Sequence, residues 1–435
     1  QYVPDLMEKE AEVFGNRTIS GFLSQVGAEE AMTADQVVWS EQGRLHLAYK
    51  CSMIDHDAGI TGNLGCKIEI LTDMDDQDPG SNHGVRLHDT VIVAGGTGQT
   101  FKGVVTEVST VFIEVVPYDA NDSVIANGTG NCTVLVYGSE FKKGQSGMDG
   151  SLEADDDIFE CSPIILKDKY AVSGSDMAQI GWVEVTTENG ATGYLWYLKS
   201  EHETRLRFDD YLETAMIEAE PAVAASGALA AGFKGTEGIF YTVEERGNVW
   251  AGGNPAALAD FDNIIRRLDK QGSIEENVIF LNREFGFDID DMLAAQNSYG
   301  AGGTSYGLFD NDKDMALNLG FTGFRRGYDF YKTDWKYLND PTMRGGLTGS
   351  GAVNGLLVPA GSTTVYDQVL GKNAKRPFLH VRYRASETED RRYKTWITGS
   401  AGGAMTSDLD AMEVHFLSER AVCVMGANNF FMFKD

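Results

Sequence analysis

Asp310, Asp312 and Asp314 stand at alternate positions, the pattern that opens a calcium loop in which carboxylates wrap a hard cation. That loop requires Gly at its sixth place and a bidentate Glu at its twelfth, where this chain has Met315 and Phe321. An EF-hand is therefore excluded. His56 and Asp57, beside Asp55, combine an imidazole with carboxylates, a set that several divalent ions accept. The remaining histidines, at 46, 83, 88, 202, 380 and 415, never fall at His-x-x-x-His or His-Glu-x-x-His spacing. The acidic run at 73–78 reads as a solvated turn. Gly349, Gly351 and Gly355 resemble a nucleotide-binding glycine loop, but such a loop needs a strand before it and a helix after it to meet the phosphate. The flanks here are Asp340-Pro341 and Val358-Pro359, which supply no such helix. The glycine stretches at 95–98 and 300–307 lack the Lys-Ser/Thr of a phosphate loop and read as mobile surface loops. No Gly-x-Ser-x-Gly elbow is present. The expectation is a chain without catalytic residues, cofactor or metal, and not an enzyme.

The composition agrees with a large globular protein. Of 435 residues, 42% are hydrophobic and 23% charged, enough for one large or two to three average domains. No apolar run approaches the roughly 20 residues of a membrane span, and no charged-then-apolar leader opens the chain, so a soluble protein away from membranes is expected. The net charge is −29, divided unequally: residues 1–319 carry 21 basic and 53 acidic side chains, and residues 320–435 carry 15 and 12. A broad basic face for nucleic acid is thereby excluded, because phosphate affinity rests on clustered Lys and Arg. The five cysteines, at 51, 66, 132, 161 and 423, show no metal spacing and read as reduced, buried small hydrophobes. Asn16, Asn121, Asn127 and Asn131 open glycan-acceptor triplets that matter only in a secretory pathway. The chain opens on Gln1 rather than Met, which raises the expectation of a cut chain or of a precursor whose N-terminus is removed.

The elements follow from periodicity. Residues 1–45 have too little apolar content for a core and read as an extended arm with short helical pieces, lying on its own subunit or a neighbour's. Strands of period two run from about 45 to 140, including 45–49, 67–71, 89–94, 101–106, 111–116 and 133–137. Their short spacing and Gly-rich turns predict a small inserted β-barrel or sandwich. Residues 141–200 read as a long two-stranded excursion. Phe208, Tyr211, Leu212, Ala215 and Met216 make one apolar stripe and predict a helix over 202–220, ended by Pro221. Asn254 and Pro255 read as N-cap and first residue of a helix lined by Ala257, Phe261, Ile264, Ile265 and Leu268. A buried strand at 278–281 and a helix opened by Asp288, with Ile289, Met292 and Leu293, complete a compact α/β layer. The chain then returns to strands at 378–384, 394–398, 413–416, 421–425 and 430–433.

An arm without a core, an excursion, a solitary amphipathic rod, an α/β lobe and a returning sheet suit a subunit completed by its neighbours. This order of segments resembles the major capsid protein of tailed bacteriophages, whose fold is shared with herpesvirus capsids. The resemblance implies an α+β fold with a long spine helix, an α/β axial domain, an extended E-loop and here an inserted small β module. It divides the chain into an N-terminal arm (1–45), strands leading into the E-loop and P-domain (46–84), the inserted β module (85–140), the E-loop (141–200), the P-domain spine helix and link (201–237), the A-domain (238–375) and returning P-domain strands (376–435). Within the last, residues 413–422 look like a closing strand pair. The implied role is structural: self-assembly into hexamers and pentamers of an icosahedral shell around double-stranded phage DNA. The implied location is the virion capsid, assembled in the host bacterial cytoplasm. Implied partners are copies of the chain, a portal, a scaffold, a maturation protease and decoration proteins, with no sequence-specific nucleic acid and no membrane.

Charge supplies candidate contact residues. Arg382, Arg384, Arg391, Arg392 and Lys394 are concentrated near the basic end and are expected to meet the acidic 1–319 portion of an adjacent subunit, setting register more than affinity. The other reading is a β-rich phage tail or decoration component that holds a glycan or partner through the 85–140 module. A hydrolase with a non-sequential triad is a third.

Overall fold

The computed structural model describes residues 28–43, 45, 47–55, 65–74, 83–96, 98–119, 125, 127–152, 156–179, 184–186, 192–296, 323–360, 362–367, 372–403 and 405–435. It is a mixed α/β chain, mostly strands. Two compact units are present, one of residues 39–159 and one of the described residues up to 38 together with 160–435. Asp310, Asp312, Asp314, His56, Asp57, the 300–307 glycines, most of the acidic run after Met74 and the first part of the arm lie outside the described residues.

The smaller unit is a closed barrel. Its strands are ordered Ala48–Asp55, Cys66–Asp73, Phe112–Pro117, Thr100–Val108, Asp89–Gly95 and Gly128–Ser139, and the last pairs back onto the first. All neighbours are antiparallel. Alternation sends Cys51, Met53, Ile68, Ile70, Val91, Val93, Val105, Ile113, Val115 and Val134 inward, all 6% exposed or less. At Gly103 a Cβ would lie 2.6 Å from Val115 Cγ1 and from the Val116 carbonyl oxygen, so only glycine admits the neighbouring strand this closely. The barrel begins at Ala48, which corrects the boundary at 85. The strands expected to lead elsewhere from 46–84 belong to the barrel. The acidic run after residue 73 looks like a domain boundary in sequence, yet without these two strands the sheet would have unpaired edges. The glycines at 95–98 form the turn of a barrel hairpin, where the Gly95 N–H donates to the Gln99 carbonyl at 2.7 Å and Gly98 takes φ +84°.

In the other unit a sheet of five strands lies under a long helix. Along one path run Ala28–Met32, Leu379–Arg384, Ala411–Val424 and Ile164–Ser173, with Lys394–Gly399 also paired to the 14-residue strand Ala411–Val424. Residues 413–416 and 421–424 therefore belong to one strand rather than a closing pair, because the intervening Glu419 and Arg420 are buried with partners instead of forming a turn. The helix spans Leu195–Glu218, two turns earlier than its apolar stripe announces. Phe208 and Leu212 pack on Met412, Val414, Phe416 and Leu166, while Tyr211, expected on that stripe, is 48% exposed. Residues 141–200 do not make one excursion: Asp156–Cys161 pairs with Val37–Gln42, Ile164–Ser173 joins the sheet, and Gly174–Gln179 is helical.

The second sheet of this unit runs Asn248–Ala251, Phe431–Lys434, Val353–Pro359, Glu276–Leu281, Tyr328–Asp334 and Gly323–Arg326. Its central strands Val353–Pro359, Glu276–Leu281 and Phe431–Lys434 are buried on both faces, as a doubly covered sheet requires. Ile279, Leu281, Leu357, Phe431 and Phe433 meet Phe261, Ile264, Leu268, Phe285 and Ile289 of the helices Leu258–Gln271 and Arg283–Gln296. Phe280, Leu356, Val358 and Met432 face the other way, into a core shared with Met216, Ile239, Phe240, Val243, Val381 and Val422. The final strand thus enters the α/β sheet and not the helix-backed one. Asn254 does not cap the first helix: the Asp260 carboxylate accepts the Ala257 N–H at 3.2 Å, and Asn254 donates to Asp288 at 2.8 Å. The second helix starts before Asp288, its first turn capped by Asn282 Oδ1, which accepts the Phe285 N–H at 2.8 Å.

Candidate functional site

The five basic residues singled out by charge all lie on or beside the helix-backed sheet, and the structure brings them together. Leu379–Arg384 places Arg382 and Arg384 two apart, hence on one face. A short turn follows, closed by the Ala385–Asp390 bridge and by the Arg391 N–H donating to the Arg384 carbonyl at 3.0 Å. It turns the chain so that Arg391 and Arg384 meet at a single acid. Arg384 Nε lies 2.8 Å from one oxygen of Glu419 and Arg391 Nε 2.7 Å from the other. Glu419 is 6% exposed, so its charge is held by two guanidinium groups rather than by water.

The remaining contacts reach the N-terminal strand Ala28–Met32, which pairs in parallel with Leu379–Arg384 in the register Glu30 to Arg382 and Met32 to Arg384. Arg382 meets Glu30 at 3.1 Å, Arg384 also pairs with Asp35, and Arg392 pairs with Glu29. The Arg392 guanidinium lies 5.5 Å from the centre of the Tyr383 ring, and its carbonyl accepts from Ser418 Oγ at 2.6 Å and Arg420 Nη2 at 3.1 Å. Lys394 stands apart from the arm, pairing with Glu389 at 2.7 Å. All five candidates are thus ion-paired inside their own chain. Three of them, Arg382, Arg384 and Arg392, pair with acids of the 28–35 segment of the same chain.

Electrostatics follow that geometry. The hydrogen bond from Arg384 holds the Asp35 carboxyl below the usual range, and the hydrogen bond from Lys394 does the same for Glu389. Burial lowers the pKa of Arg382. Sequence reasoning missed the acids Glu29, Glu30, Asp35, Glu389 and Glu419, whose only signal is the adjacent pair at 29 and 30 in a segment without a core.

The other sequence candidates part company in space. Gly349–Gly351 is a single 3-10 turn leading into the strand Val353–Pro359, so no helix N-terminus follows. Among the described residues no group of three His, Cys, Asp or Glu is placed to hold a metal ion. None of their helices is long and apolar enough to cross a membrane. Beside the long helix an open groove of about 580 Å³ is lined by Arg207, Tyr211, Glu218, Tyr337, Met343 and Leu347. One wall is fixed by Glu218, which accepts from Tyr337 Oη at 2.6 Å and from Arg344 at 2.8 Å.

No family model matches the chain, and none of the curated proteins matches it. Among solved structures it is similar to one of Microbacterium phage Oxtober96, at 10% identity over 100% of this chain and 95% of that one, with a TM-score of 0.40. A structure of Mycobacterium phage Ogopogo gives 10% identity over 100% and 96%, with a TM-score of 0.40. The asymmetric unit of the bacteriophage PhiM1 mature capsid is similar at 10% identity over 99% of this chain and 92% of that one, with a TM-score of 0.41.

Proposed function

We propose that this chain is the major capsid protein of a tailed bacteriophage, a structural subunit that self-assembles into hexamers and pentamers of an icosahedral shell enclosing double-stranded DNA. The observation that carries the reading is the order of parts along the chain. An acidic arm strand lies in the sheet edge, a two-stranded ribbon carries an inserted barrel, a 24-residue helix backs the sheet, and an α/β sheet follows before the chain returns. In this reading the arm is the segment through 36, the 195–218 helix is the P-domain spine, and the lobe beginning at 238 is the axial domain. The E-loop is the ribbon of 37–42 with 156–161, and the barrel is its insertion. An edge strand held by one parallel ladder and by ion pairs, in a chain whose arm has too little apolar content for a core of its own, is suited to exchange between copies.

Electron microscopy of the expressed full-length chain tests the proposal: closed shells or rings of five and six subunits are expected, and persistent monomers at high concentration would overturn it. A second reading, a tail or decoration component that holds a glycan, draws on the barrel surface, where Tyr118 and Tyr137 are 54% and 50% exposed and Lys102 lies 5.8 Å from the Tyr137 ring. Monomers that bind oligosaccharide, and lose binding on Tyr137→Ala, would favour it.

A further inference from the structure

The segment from Pro221 to Thr236, which follows the long helix, contains a single charged residue, Lys234, in a chain of net charge −29. It is built as a closed loop. At its base Pro221 bridges to Gly235, and the Ala222 N–H donates to the Lys234 carbonyl at 2.7 Å. Within it Ser226 Oγ caps the short helix Gly227–Ala230 by accepting the Leu229 N–H at 3.2 Å, and the Phe233 N–H donates to the Ala228 carbonyl at 2.9 Å. These bonds satisfy the backbone locally, so the loop keeps its shape by its own means. Yet it turns apolar side chains outward: Val223, Leu229 and Phe233 are 63%, 43% and 70% exposed. An ordered loop that presents an aromatic and two aliphatic side chains to water has the character of a contact surface.

The groove of about 580 Å³ beside the long helix has the opposite shape. Tyr211 belongs to the apolar stripe of that helix but is 48% exposed, and Leu347, which also lines the groove, is 52% exposed. An adjoining depression of about 390 Å³ shares Tyr211, Thr214 and Glu218 with it and adds Leu166 and Ala215. Loop and groove belong to the same compact unit, and none of the groove's lining residues comes from the loop.

We propose that the loop 221–236 is a knob that inserts Phe233 and Leu229 into the groove beside the long helix of a second copy of this chain. The choice of a second copy rests on the self-assembly proposed above, and two observations favour it. Copies of a strongly acidic chain repel one another, whereas the knob brings only one charge to the contact, and that charge is positive. The groove also offers a Phe ring the partners it packs on, the Tyr211 ring, the Met343 thioether and the Leu347 side chain. Its acid Glu218 is already held by Tyr337 and Arg344, so that insertion strands no carboxylate. Because knob and groove are different surfaces of one chain, the contact is head-to-tail, a geometry that closes into rings where the rotation permits.

The test uses the full chain with p-benzoylphenylalanine in place of Phe233, mixed with an isotope-labelled unmodified copy, irradiated and read by mass spectrometry, with the same sample imaged by electron microscopy. Links from position 233 to residues 207–218 or 337–347 of the labelled copy are expected. Their yield should fall at least about tenfold when the labelled copy carries Leu347→Asp or Tyr211→Lys, as for loss of a residue at the centre of a contact. Both positions are about half exposed, so neither substitution removes a core side chain. Links confined to one chain, links to other segments of the labelled copy, no links, or a yield unmoved by both variants would overturn the proposal. The images keep this separate from the capsid role: shells with links elsewhere refute the knob alone, whereas knob-to-groove links without shells or rings support the knob and count against that role.

Discussion

Glu419 shows how one carboxylate organises a site. Two arginines reach its two oxygens, and the Glu419 N–H donates to the Arg391 carbonyl at 3.0 Å, so side chain and backbone both depend on this position. Removing the charge leaves two partly buried guanidinium groups without their shared acid, which costs more than the pair contributes net. Glu419→Gln should therefore lower stability by about 3 kcal/mol in denaturant unfolding; a loss under about 1 kcal/mol would mean that solvent screens the pair as at an exposed site. A second residue makes a pH prediction. Tyr328 Oη donates to Asp269 at 2.7 Å, and burial, helped by that acid, pushes the phenol up to about 12 from 10.0. The folded chain then holds this proton more tightly than the unfolded one, so stability falls as pH rises. The contribution is complete below pH 10.0 and is lost by about pH 12. Urea unfolding across that range should show a downward slope that Tyr328→Phe flattens; an unchanged slope in the mutant would refute the assignment.

At the level of elements, the arm strand and the long helix are held by different forces and should fail differently. The strand at 28–32 owes its place to a parallel ladder and to pairs from Glu29, Glu30 and Asp35. Arg392→Glu sets two carboxylates against each other and should expose the arm to limited proteolysis near residues 29–35 while the rest stays resistant. Adding Glu29→Arg should restore protection, and a double mutant as sensitive as the single would show that the pair does not hold the arm. Because the Asp35 carboxyl is held below its ordinary range, its contribution is present above about pH 4 and lost as pH falls further, so acid should release the arm as well. The helix depends on packing instead. Phe208 is fully buried, with its ring 5.8 Å from Phe416 and 5.4 Å from Tyr393, and Phe208→Ala should cost about 4 kcal/mol in denaturant unfolding. A loss below about 1.5 kcal/mol would mean that the site collapses around the gap. This contrast also explains what the sequence made legible. Apolar periodicity reveals the face carrying Phe208, Leu212 and Met216 and the inward residues of the barrel, because burial of those side chains repeats with the element. It cannot reveal the helix start at Leu195, the span of the 411–424 strand through Glu419 and Arg420, or the acids that meet the basic cluster. Those depend on partners distant in the chain, 349 residues apart for Arg384 and Asp35, and no local pattern records them.

For the whole molecule, the formal charge of −29 is an incomplete description, because part of the acidic excess is neutralised where the arm meets the basic end. Another part belongs to the barrel: residues 44–153 carry 7 basic and 15 acidic side chains. The chain enters and leaves this unit through one ribbon, in which Gln36 pairs with Glu160 and the Trp39 ring lies 6.3 Å from that of Phe159. The two ends of the insertion are therefore adjacent, and the barrel closes its own sheet and fills its own core, so neither part needs the other to satisfy its backbone. Replacing residues 44–153 with a short Gly-Ser linker should leave a chain that unfolds cooperatively and keeps the helical signal of the long helix and the α/β sheet, since joining neighbouring ends with a short loop costs little closure entropy. Residues 39–159 expressed alone should give a β-type circular dichroism spectrum and one unfolding transition. An aggregated remainder together with an unfolded barrel fragment would show that the two form one cooperative body. If the remainder folds, its assembly by electron microscopy asks a separate question: shells built without the barrel would locate the structural role in the arm, sheet, helix and α/β layer, and a folded remainder that stays monomeric would place the contacts that build the shell in the barrel itself.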